Sequence, residues 1–282
     1  MLWLKGVSVF MIHRRRKIGK AITYLGMYYS SGRYSEKRTL DTLRISITAV
    51  FTALVCASTI VLSIYLPATR GYFNIGETMI YITALIFGPY VGAFAGGVGS
   101  MLADILLGYG YYAPATLVIK ACEGAIVGSL SRRVFASKNA VYWKAFTTII
   151  GIVVGVILCL VGLTYYTGKT ELYLGIPPPE NPSIILNVSP VFWYGLGLAV
   201  TVLIALTGFL FEPEFGWTVV SILAGGLEMV SGYFLYEYFV LIGPGAVAEV
   251  PINIGQMVVG LVVAVPVVKV VWRYLPDLRR IT

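Results

Sequence analysis

The chain has 282 residues, of which 58% are hydrophobic and 12% are charged. Soluble domains carry about 25% charged residues, so this composition excludes an ordinary soluble protein and indicates an integral membrane protein. The formal net charge is +8, but the basic residues flank apolar segments, which is typical of membrane topology rather than of nucleic-acid binding.

The chain begins with a basic arm, residues 1–42, which contains the run HRRRK. A secretory signal places its positive charge before a longer apolar core, and the arm has the opposite order. We therefore expect a cytoplasmic or interfacial arm rather than a signal peptide. A short cytoplasmic tail is expected at 274–282.

Eight apolar segments follow the arm, separated by turns and loops. They are predicted at 43–66, 75–87, 89–108, 114–131, 145–166, 190–211, 217–241 and 250–272. A helix needs about 20 residues to cross a bilayer, and most of these segments approach that length. The sequence therefore predicts an all-α polytopic membrane fold of about eight segments.

The basic residues predict the orientation of these segments. An even number of segments puts both termini on one side, and 18 of the 21 lysine and arginine residues then fall on that side. The exceptions are Arg70, Lys120 and Lys169. Because positive charge marks the cytoplasmic side, we expect cytoplasmic termini. The loops expected outside are 67–74, 109–113, 168–189 and 242–249.

Three ionisable side chains, Asp104, Lys120 and Glu123, lie in the apolar segments around the turn GYGYYAP. At 1.5 Å per residue they lie about 6 to 13 Å below the outer ends of their helices. A charge at the bilayer centre costs roughly 2.5 to 3.5 kcal/mol, so each needs compensation. One interpretation is structural: Lys120 and Glu123 pair with each other or with Asp104. The other is that they belong to a binding pocket.

Polar residues also recur in the last two segments: Glu228, Tyr233, Glu237, Glu249, Asn253 and Gln256. The last three are spaced i, i+4 and i+7, so they share one helix face, and Tyr233 and Glu237 are spaced i, i+4. Most of these groups lie at a depth similar to that of Asp104. The sequence therefore favours a pocket that opens outward and takes a polar small molecule.

Small residues form two patterns. Ala49, Ala53 and Ala57 recur every fourth position in the first segment, which lets another helix approach closely, either inside the protein or from a partner. The glycines of the third segment are expected to serve internal packing; they are Gly92, Gly96, Gly97 and Gly99.

Residues 73–130, FNIGETMIYITALIFGPYVGAFAGGVGSMLADILLGYGYYAPATLVIKACEGAIVGSL, carry an ordered set of motifs. The set runs from N-I-G-E through FGP and G-x-x-x-D to K-x-x-E-G. It resembles the substrate-capture (S) components of energy-coupling factor (ECF) vitamin transporters, especially the riboflavin-transporter-like branch. Residues 232–260 are similar to the closing helices of that family.

The resemblance implies a subunit without its own ATPase that binds a vitamin from outside. Its implied partners are a transmembrane coupling subunit, contacted through Ala49, Ala53 and Ala57, and two cytoplasmic ATPases. No catalytic residue, metal or cofactor is implied. The residues that the resemblance places in the substrate pocket are Tyr72, Asn74, Lys120, Glu123, Glu228, Tyr233, Glu237, Glu249, Asn253 and Gln256.

One departure from the family concerns domain organisation. The family core has six helices, which correspond here to 43–135 and 216–273, whereas 136–215 is expected to be an inserted transmembrane hairpin with its outer loop at 168–189. Two other functions stay open at this point. One is a self-sufficient secondary transporter or channel that uses Asp104, Glu228 or Glu249, and the other is an intramembrane enzyme.

Overall fold

The computed structural model describes residues 42–67, 71–132, 140–174, 179–210 and 213–275. The predicted arm at 1–42 and tail at 274–282 therefore lie almost wholly outside the described residues. The chain divides into two compact units, Met1–Ile47 and Thr48–Thr282. The first is described only at 42–47, which are helical and in which Ser46 Oγ donates to the carbonyl of Thr42 at 2.9 Å. The second holds the remaining elements.

Eight apolar helices run through the described residues and confirm the all-α prediction. They are α1 Thr42–Val61, α2 Gly76–Phe87, α3 Pro89–Leu107, α4 Ala113–Leu130, α5 Ala140–Tyr165, α6 Pro190–Leu210, α7 Pro213–Tyr236 and α8 Val250–Tyr274. Proline at the first or second position begins α3, α4 and α8, where the missing N–H costs nothing.

Six of the helices in the described part are long and apolar enough to cross a membrane, and α2, with 12 residues, is shorter. The chain is thus a multi-pass membrane protein. The predicted bounds are wrong by four residues or more at three places. The first helix ends at Val61 rather than at 66, the fifth begins at Ala140 rather than at 145, and the seventh begins at Pro213 rather than at 217.

A small antiparallel sheet, which the sequence does not predict, joins two loops at one end of the helices. Its strands are β1 Ile64–Leu66, β2 Gly71–Phe73, β3 Gly168–Leu174 and β4 Ile184–Val188, in the order β2-β1-β3-β4. β1 pairs with both β2 and β3, with Tyr65 opposite Tyr72 on one side and Tyr173 on the other. We call this end of Thr48–Thr282 the strand end.

Glycines allow α3 and α4 to pack with their backbones in contact. A Cβ at Gly96 would lie 2.8 Å from the carbonyl of Lys120, and one at Gly97 would lie 2.6 Å from that of Leu117. A Cβ at Gly124 would run into the carbonyl of Gly92. The predicted role of the α3 glycines in internal packing is therefore confirmed, because only residues without a side chain permit this approach.

The helices α5 and α6 pack chiefly against each other. Thr201 Oγ1 of α6 donates to the carbonyl of Gly151 of α5 at 3.0 Å, so the hydroxyl links the two backbones. At the strand end, Tyr166 OH donates to the carbonyl of Ala248 at 2.7 Å. This hydrogen bond ties the end of α5 to the segment before α8.

The main apolar cluster joins buried residues of α2, α4, α5, α6, α7 and α8, and it includes Tyr81, which is fully buried. A Cβ at Gly260 of α8 would lie 2.7 Å from the Tyr81 ring, and one at Gly226 of α7 would lie 2.8 Å from its hydroxyl. Glycines on two helices thus make room for one large aromatic side chain. Its hydroxyl points to the polar residues described next.

Candidate substrate-binding site

A polar cavity of about 40 Å³ lies at the strand end, among β2, α3, α4, α7 and α8. Its walls combine carboxyl, amide and hydroxyl groups with three tyrosine rings. The lining residues are Gly71, Tyr72, Asn74, Asp104, Tyr112, Thr116, Lys120, Tyr233, Glu237, Glu249, Asn253 and Gln256. Five elements distant in sequence therefore converge on one polar space.

Two carboxyl groups of the cavity wall accept hydrogen bonds from tyrosine hydroxyls. Tyr72 OH donates to Asp104 Oδ1 at 2.6 Å, and Tyr112 OH donates to Glu237 Oε1 at 3.0 Å. Burial, and then the nearby carboxylate in each case, raises the pKa of Tyr72 and of Tyr112 above the usual range. Both hydroxyls therefore remain protonated donors, which fixes the orientation of the two carboxyl groups.

Lys120 lines the cavity and belongs to a buried polar cluster. The members of this Lys120 cluster are Lys120, Glu77, Glu123 and Tyr81. Lys120 Nζ forms ion pairs with Glu77 and, at 3.3 Å, with Glu123 Oε2. Tyr81 OH donates to Glu123 Oε1 at 2.9 Å. All four side chains are buried, and the ammonium group of Lys120 is paired with two carboxylates.

The ends of the last two helices are irregular where they meet the cavity. A π-helical turn, Glu237–Leu241, follows α7, and a 3₁₀ helix, Gly243–Glu249, precedes α8. Non-α turns of this kind are frequent at functional sites because they re-aim side chains. Here they place Glu237 and Glu249 in the same wall.

Asn253 and Gln256 continue that wall into α8, and both are buried. Gln256 Nε2 donates to Asn253 Oδ1 at 2.9 Å. Asn74, another lining residue, accepts the backbone N–H of Gly76 through Oδ1 at 2.8 Å and so fixes the entry into α2. The amides are thus held in place by local hydrogen bonds.

The structure brings most of the residues predicted for the site together. Eight of the ten predicted pocket residues line the cavity, and Asp104 lines it as well. The predicted pairing of Lys120 with Glu123 is confirmed, while Glu123 itself lies behind the lining. Glu228 is half-buried on α7 and is not among the lining residues, so its role stays a prediction.

Sequence reasoning assigned no role to Glu77 and did not include Gly71 or Thr116 in the pocket. Glu77 is the acidic residue of the N-I-G-E motif, and its position in a largely apolar helix was the available signal. Thr116 precedes Lys120 by four residues and so shares its helix face. Gly71 allows a close approach, because a Cβ there would lie 2.7 Å from Glu249 Oε1.

The alanine stripe that was predicted to contact the coupling subunit, Ala49, Ala53 and Ala57, does not line the cavity. Ala49, Ala53 and Ala57 are exposed on α1, whereas Thr52, Val55 and Thr59 on the same helix are buried. The buried face packs on Gly99 of α3, where a Cβ would lie 2.7 Å from the carbonyl of Thr52. The alanines are therefore not used in packing among the described residues.

A multi-pass helical membrane protein with a polar cavity at one end of its helices has the features of a small-molecule transport subunit. The model of the family "ECF-type riboflavin transporter, S component" matches residues 39–186. This is more than half of the chain, so the protein belongs to that family. Its members are substrate-binding components of vitamin transporters rather than enzymes.

A curated relative from Pyrococcus woesei is described as an "Uncharacterized protein in gap 3'region". The two proteins are 53% identical over 78 residues, which is 28% of this chain. The matched region spans about half, 52%, of the length of that relative. The description of this relative names no activity, so the similarity does not indicate a function.

Proposed function

We propose that this protein is the substrate-binding subunit of an ECF-type importer and binds a water-soluble vitamin or a related heterocyclic precursor from outside the cell. Riboflavin is the first compound to test, because the matching family bears its name. The proposed partners are a transmembrane coupling subunit and two ATPases that drive uptake. Membrane lipids surround the helices.

The convergence of buried polar groups on the cavity is the observation that carries this proposal. Asp104, Glu237, Asn253 and Gln256 are each at most 4% exposed, and they come from three different helical elements. Burying such groups costs free energy unless they are satisfied, and a structural role would bring them into mutual contact. Asn253 and Gln256 contact each other, but they share one space with Asp104 and Glu237, which come from other elements, and this arrangement supports ligand binding.

The size of the cavity bears on how a ligand enters. Its volume of about 40 Å³ is well below the roughly 150 Å³ that holds a benzene ring. A heterocyclic ligand therefore requires the walls to move apart. Strand β2 is a suitable moving part, since it carries Tyr72 and has three residues.

The proposed orientation places both termini in the cytoplasm and the strand end outside. It is supported by the concentration of lysine and arginine at the other end of the segments, since cytoplasmic loops carry an excess of these residues. With this orientation the cavity faces the substrate before uptake.

The test begins with the protein purified in detergent. Mass spectrometry of whatever co-purifies, followed by calorimetry with that compound, should identify a vitamin or heterocyclic ligand that binds at one site. Asn253→Ala should weaken the affinity, because it removes a lining amide and the acceptor for Gln256, while thermal unfolding shows a folded protein. Unchanged affinity would remove Asn253 from the site.

The transport step separates this proposal from its main competitor, a self-sufficient transporter. A self-sufficient transporter is favoured by Asp104 and Glu249, which line the cavity and offer ion sites. Reconstituted liposomes should show uptake only with the coupling and ATPase subunits and ATP. Uptake by this chain alone, driven by an ion gradient, would contradict the proposal.

A further inference from the structure

The wall of the cavity contains a seam where strand β2 meets the 3₁₀ helix Gly243–Glu249. A Cβ at Gly71 of β2 would lie 2.7 Å from Glu249 Oε1, so the strand backbone and this side chain are in close contact. Both residues line the cavity, although they come from elements that are distant in sequence. We call the contact between Gly71 and Glu249 the seam. Moving these two elements apart would enlarge the cavity.

One side of the seam is attached to the hairpin formed by α5, β3, β4 and α6, which we call the α5–α6 hairpin. Tyr65 of β1 lies opposite Tyr72 of β2 on one side and opposite Tyr173 of β3 on the other. β3 also pairs with β4. The strand order β2-β1-β3-β4 therefore connects the cavity wall to the hairpin by continuous backbone pairing.

A row of tyrosine rings follows the same path. The Tyr173 ring meets the Tyr65 ring edge-on, with the centroids 6.0 Å apart. Tyr65 lies 6.5 Å from Tyr109, which stacks on Tyr72 at 4.6 Å. Aromatic pairs at these distances attract each other. The rings thus connect β3 to the tyrosine whose hydroxyl donates to Asp104 in the cavity wall.

The other side of the seam is attached to the same hairpin through Tyr166, which directly follows α5. Its hydroxyl donates to the carbonyl of Ala248, the residue before Glu249, at 2.7 Å. Trp193 Nε1 of α6 donates to the carbonyl of Tyr166 at 3.2 Å. Tyr166 and Trp193 are both buried. Both helices of the hairpin therefore hold the side chain that contacts the 3₁₀ segment.

The α5–α6 hairpin is itself firmly built. A Cβ at Gly155 of α5 would lie 2.5 Å from the carbonyl of Gly197 of α6, and one at Gly197 would lie 2.7 Å from the carbonyl of Gly155. The two backbones are thus in contact, and closely packed elements of this kind shift as rigid bodies. A rigid hairpin that is attached to both sides of a seam resists its separation.

We infer that the α5–α6 hairpin is a strap across the seam, which keeps the cavity closed and releases β1 when a ligand enters. This inference rests on the proposed function, since it states what controls access to the proposed binding site. While both attachments hold, β2 and the 3₁₀ segment are tied to one rigid body. The pairing of β1 with β3 is the weaker ladder, because it spans two residue pairs whereas β3 and β4 share five.

The first experiment measures opening without any ligand. Thr116→Cys puts a thiol in the cavity, where Thr116 is 2% exposed. A charged methanethiosulfonate reagent is larger than the closed cavity and reacts when the cavity opens, and peptide mass spectrometry reads this site separately from the native cysteines. In this background Tyr173→Pro removes the pairing of β3 with β1, and Tyr166→Phe removes the other attachment. Each should speed labelling about fivefold or more, since one net backbone hydrogen bond changes an equilibrium by about two- to tenfold.

Each variant has a matched control. Ile185→Pro changes β4, which pairs with β3 and is not a neighbour of β1 in the sheet. Tyr165→Phe changes the exposed neighbour of Tyr166. Both controls should be labelled at the rate of the Thr116→Cys protein. If neither test variant is labelled faster than its control, the hairpin is not a strap. If Tyr173→Pro fails to fold, the comparison of Tyr166→Phe with Tyr165→Phe decides.

The second experiment locks the strap and follows riboflavin by its fluorescence. Ile64→Cys with Leu174→Cys places two thiols opposite each other on β1 and β3. Oxidation should slow association and dissociation of riboflavin tenfold or more, and a reducing agent should restore both rates. Thr170→Cys with Leu186→Cys joins β3 to β4 and should leave the rates unchanged. Equal rates before and after reduction of the β1–β3 disulfide would overturn the inference. Folded, reduced protein that binds no riboflavin would count against the proposed substrate, while the labelling experiment still decides on the strap.

Discussion

Lys120 balances the carboxylate charge of the Lys120 cluster. Lys120 is 4% exposed, and its ammonium group contacts carboxylates from two helices, Glu77 on α2 and Glu123 on α4. Breaking a buried ion pair by removing one partner costs far more than losing an exposed pair, because the remaining charge is left without compensation. Lys120 therefore contributes to folding as well as to the site.

Lys120→Met should lower the free energy of unfolding by about 3 to 5 kcal/mol. The cause is the pair of carboxylates that remain buried without a cation. Thermal unfolding in detergent, compared with unmodified protein, measures the loss. Lys169→Met is the control, since Lys169 and Glu171 form an exposed pair that is worth about 0 to 1 kcal/mol. Equal losses in the two variants would contradict this account.

At the scale of secondary-structure elements, α3 and α4 pack with their backbones in contact at Gly92 and Gly124. Gly124→Ala should destabilise the protein by about 1 to 3 kcal/mol, because the new methyl group meets the carbonyl of Gly92. Gly195→Ala on α6 is the matched control, since a Cβ there meets nothing within 4 Å. Unfolding midpoints of the two variants in detergent should differ in this direction. A stable Gly124→Ala would show that the helices separate easily.

Tyr166 links α5 to the 3₁₀ segment that carries Glu249. Burial raises the pKa of Tyr166, so its hydroxyl stays protonated and donates to the carbonyl of Ala248. Tyr166→Phe leaves that carbonyl unsatisfied, which costs about 1 to 3 kcal/mol and should weaken ligand affinity about fivefold or more by loosening Glu249. Tyr165→Phe, on an exposed neighbour, should leave affinity unchanged. Calorimetry of both variants with the co-purified ligand measures the difference.

The sequence predicts the helices well and the strands poorly, for a physical reason. Apolar runs of suitable length are local signals, and prolines such as Pro89 and Pro190 mark where α3 and α6 begin. The strand β1 has three residues and gains its partners from β2 and from β3, which lies about a hundred residues further on. A three-residue segment is too short to show the alternation of apolar and polar residues that predicts a strand, and its distant partner gives no local signal.

The site shows the same division between local and long-range signals. The spacing of Glu249, Asn253 and Gln256 predicts a shared helix face, and the structure confirms that all three line the cavity. The pairing of Glu77 with Lys120 was not predicted, because it joins helices whose mutual rotation is fixed only by packing. Within one helix, Lys120 and Glu123 are neighbours, so that pair was accessible from spacing alone.

At the scale of the whole molecule, the cavity and the alanine stripe occupy different surfaces of Thr48–Thr282. The cavity lies at the strand end, whereas Ala49, Ala53 and Ala57 face outward along α1. Small residues on an exposed helix face leave room for a second helix to approach closely in the membrane. The stripe therefore suits a partner that has no contact with the ligand, as the proposed coupling subunit requires.

Ala53→Trp should block assembly with the coupling subunit and leave ligand binding intact. The indole group fills the space that a partner helix would occupy, and the opposite face of α1, with Val55, keeps its contacts inside the protein. Leu54→Trp is the control, because Leu54 is also exposed but lies about 100° around the helix from Ala53. Co-purification with the coupling and ATPase subunits measures assembly, and calorimetry on the isolated chain measures binding. If Ala53→Trp assembles as well as Leu54→Trp does, the partner docks elsewhere. If Ala53→Trp loses ligand affinity instead, the stripe and the cavity are coupled through α1, and the separation of the two surfaces fails.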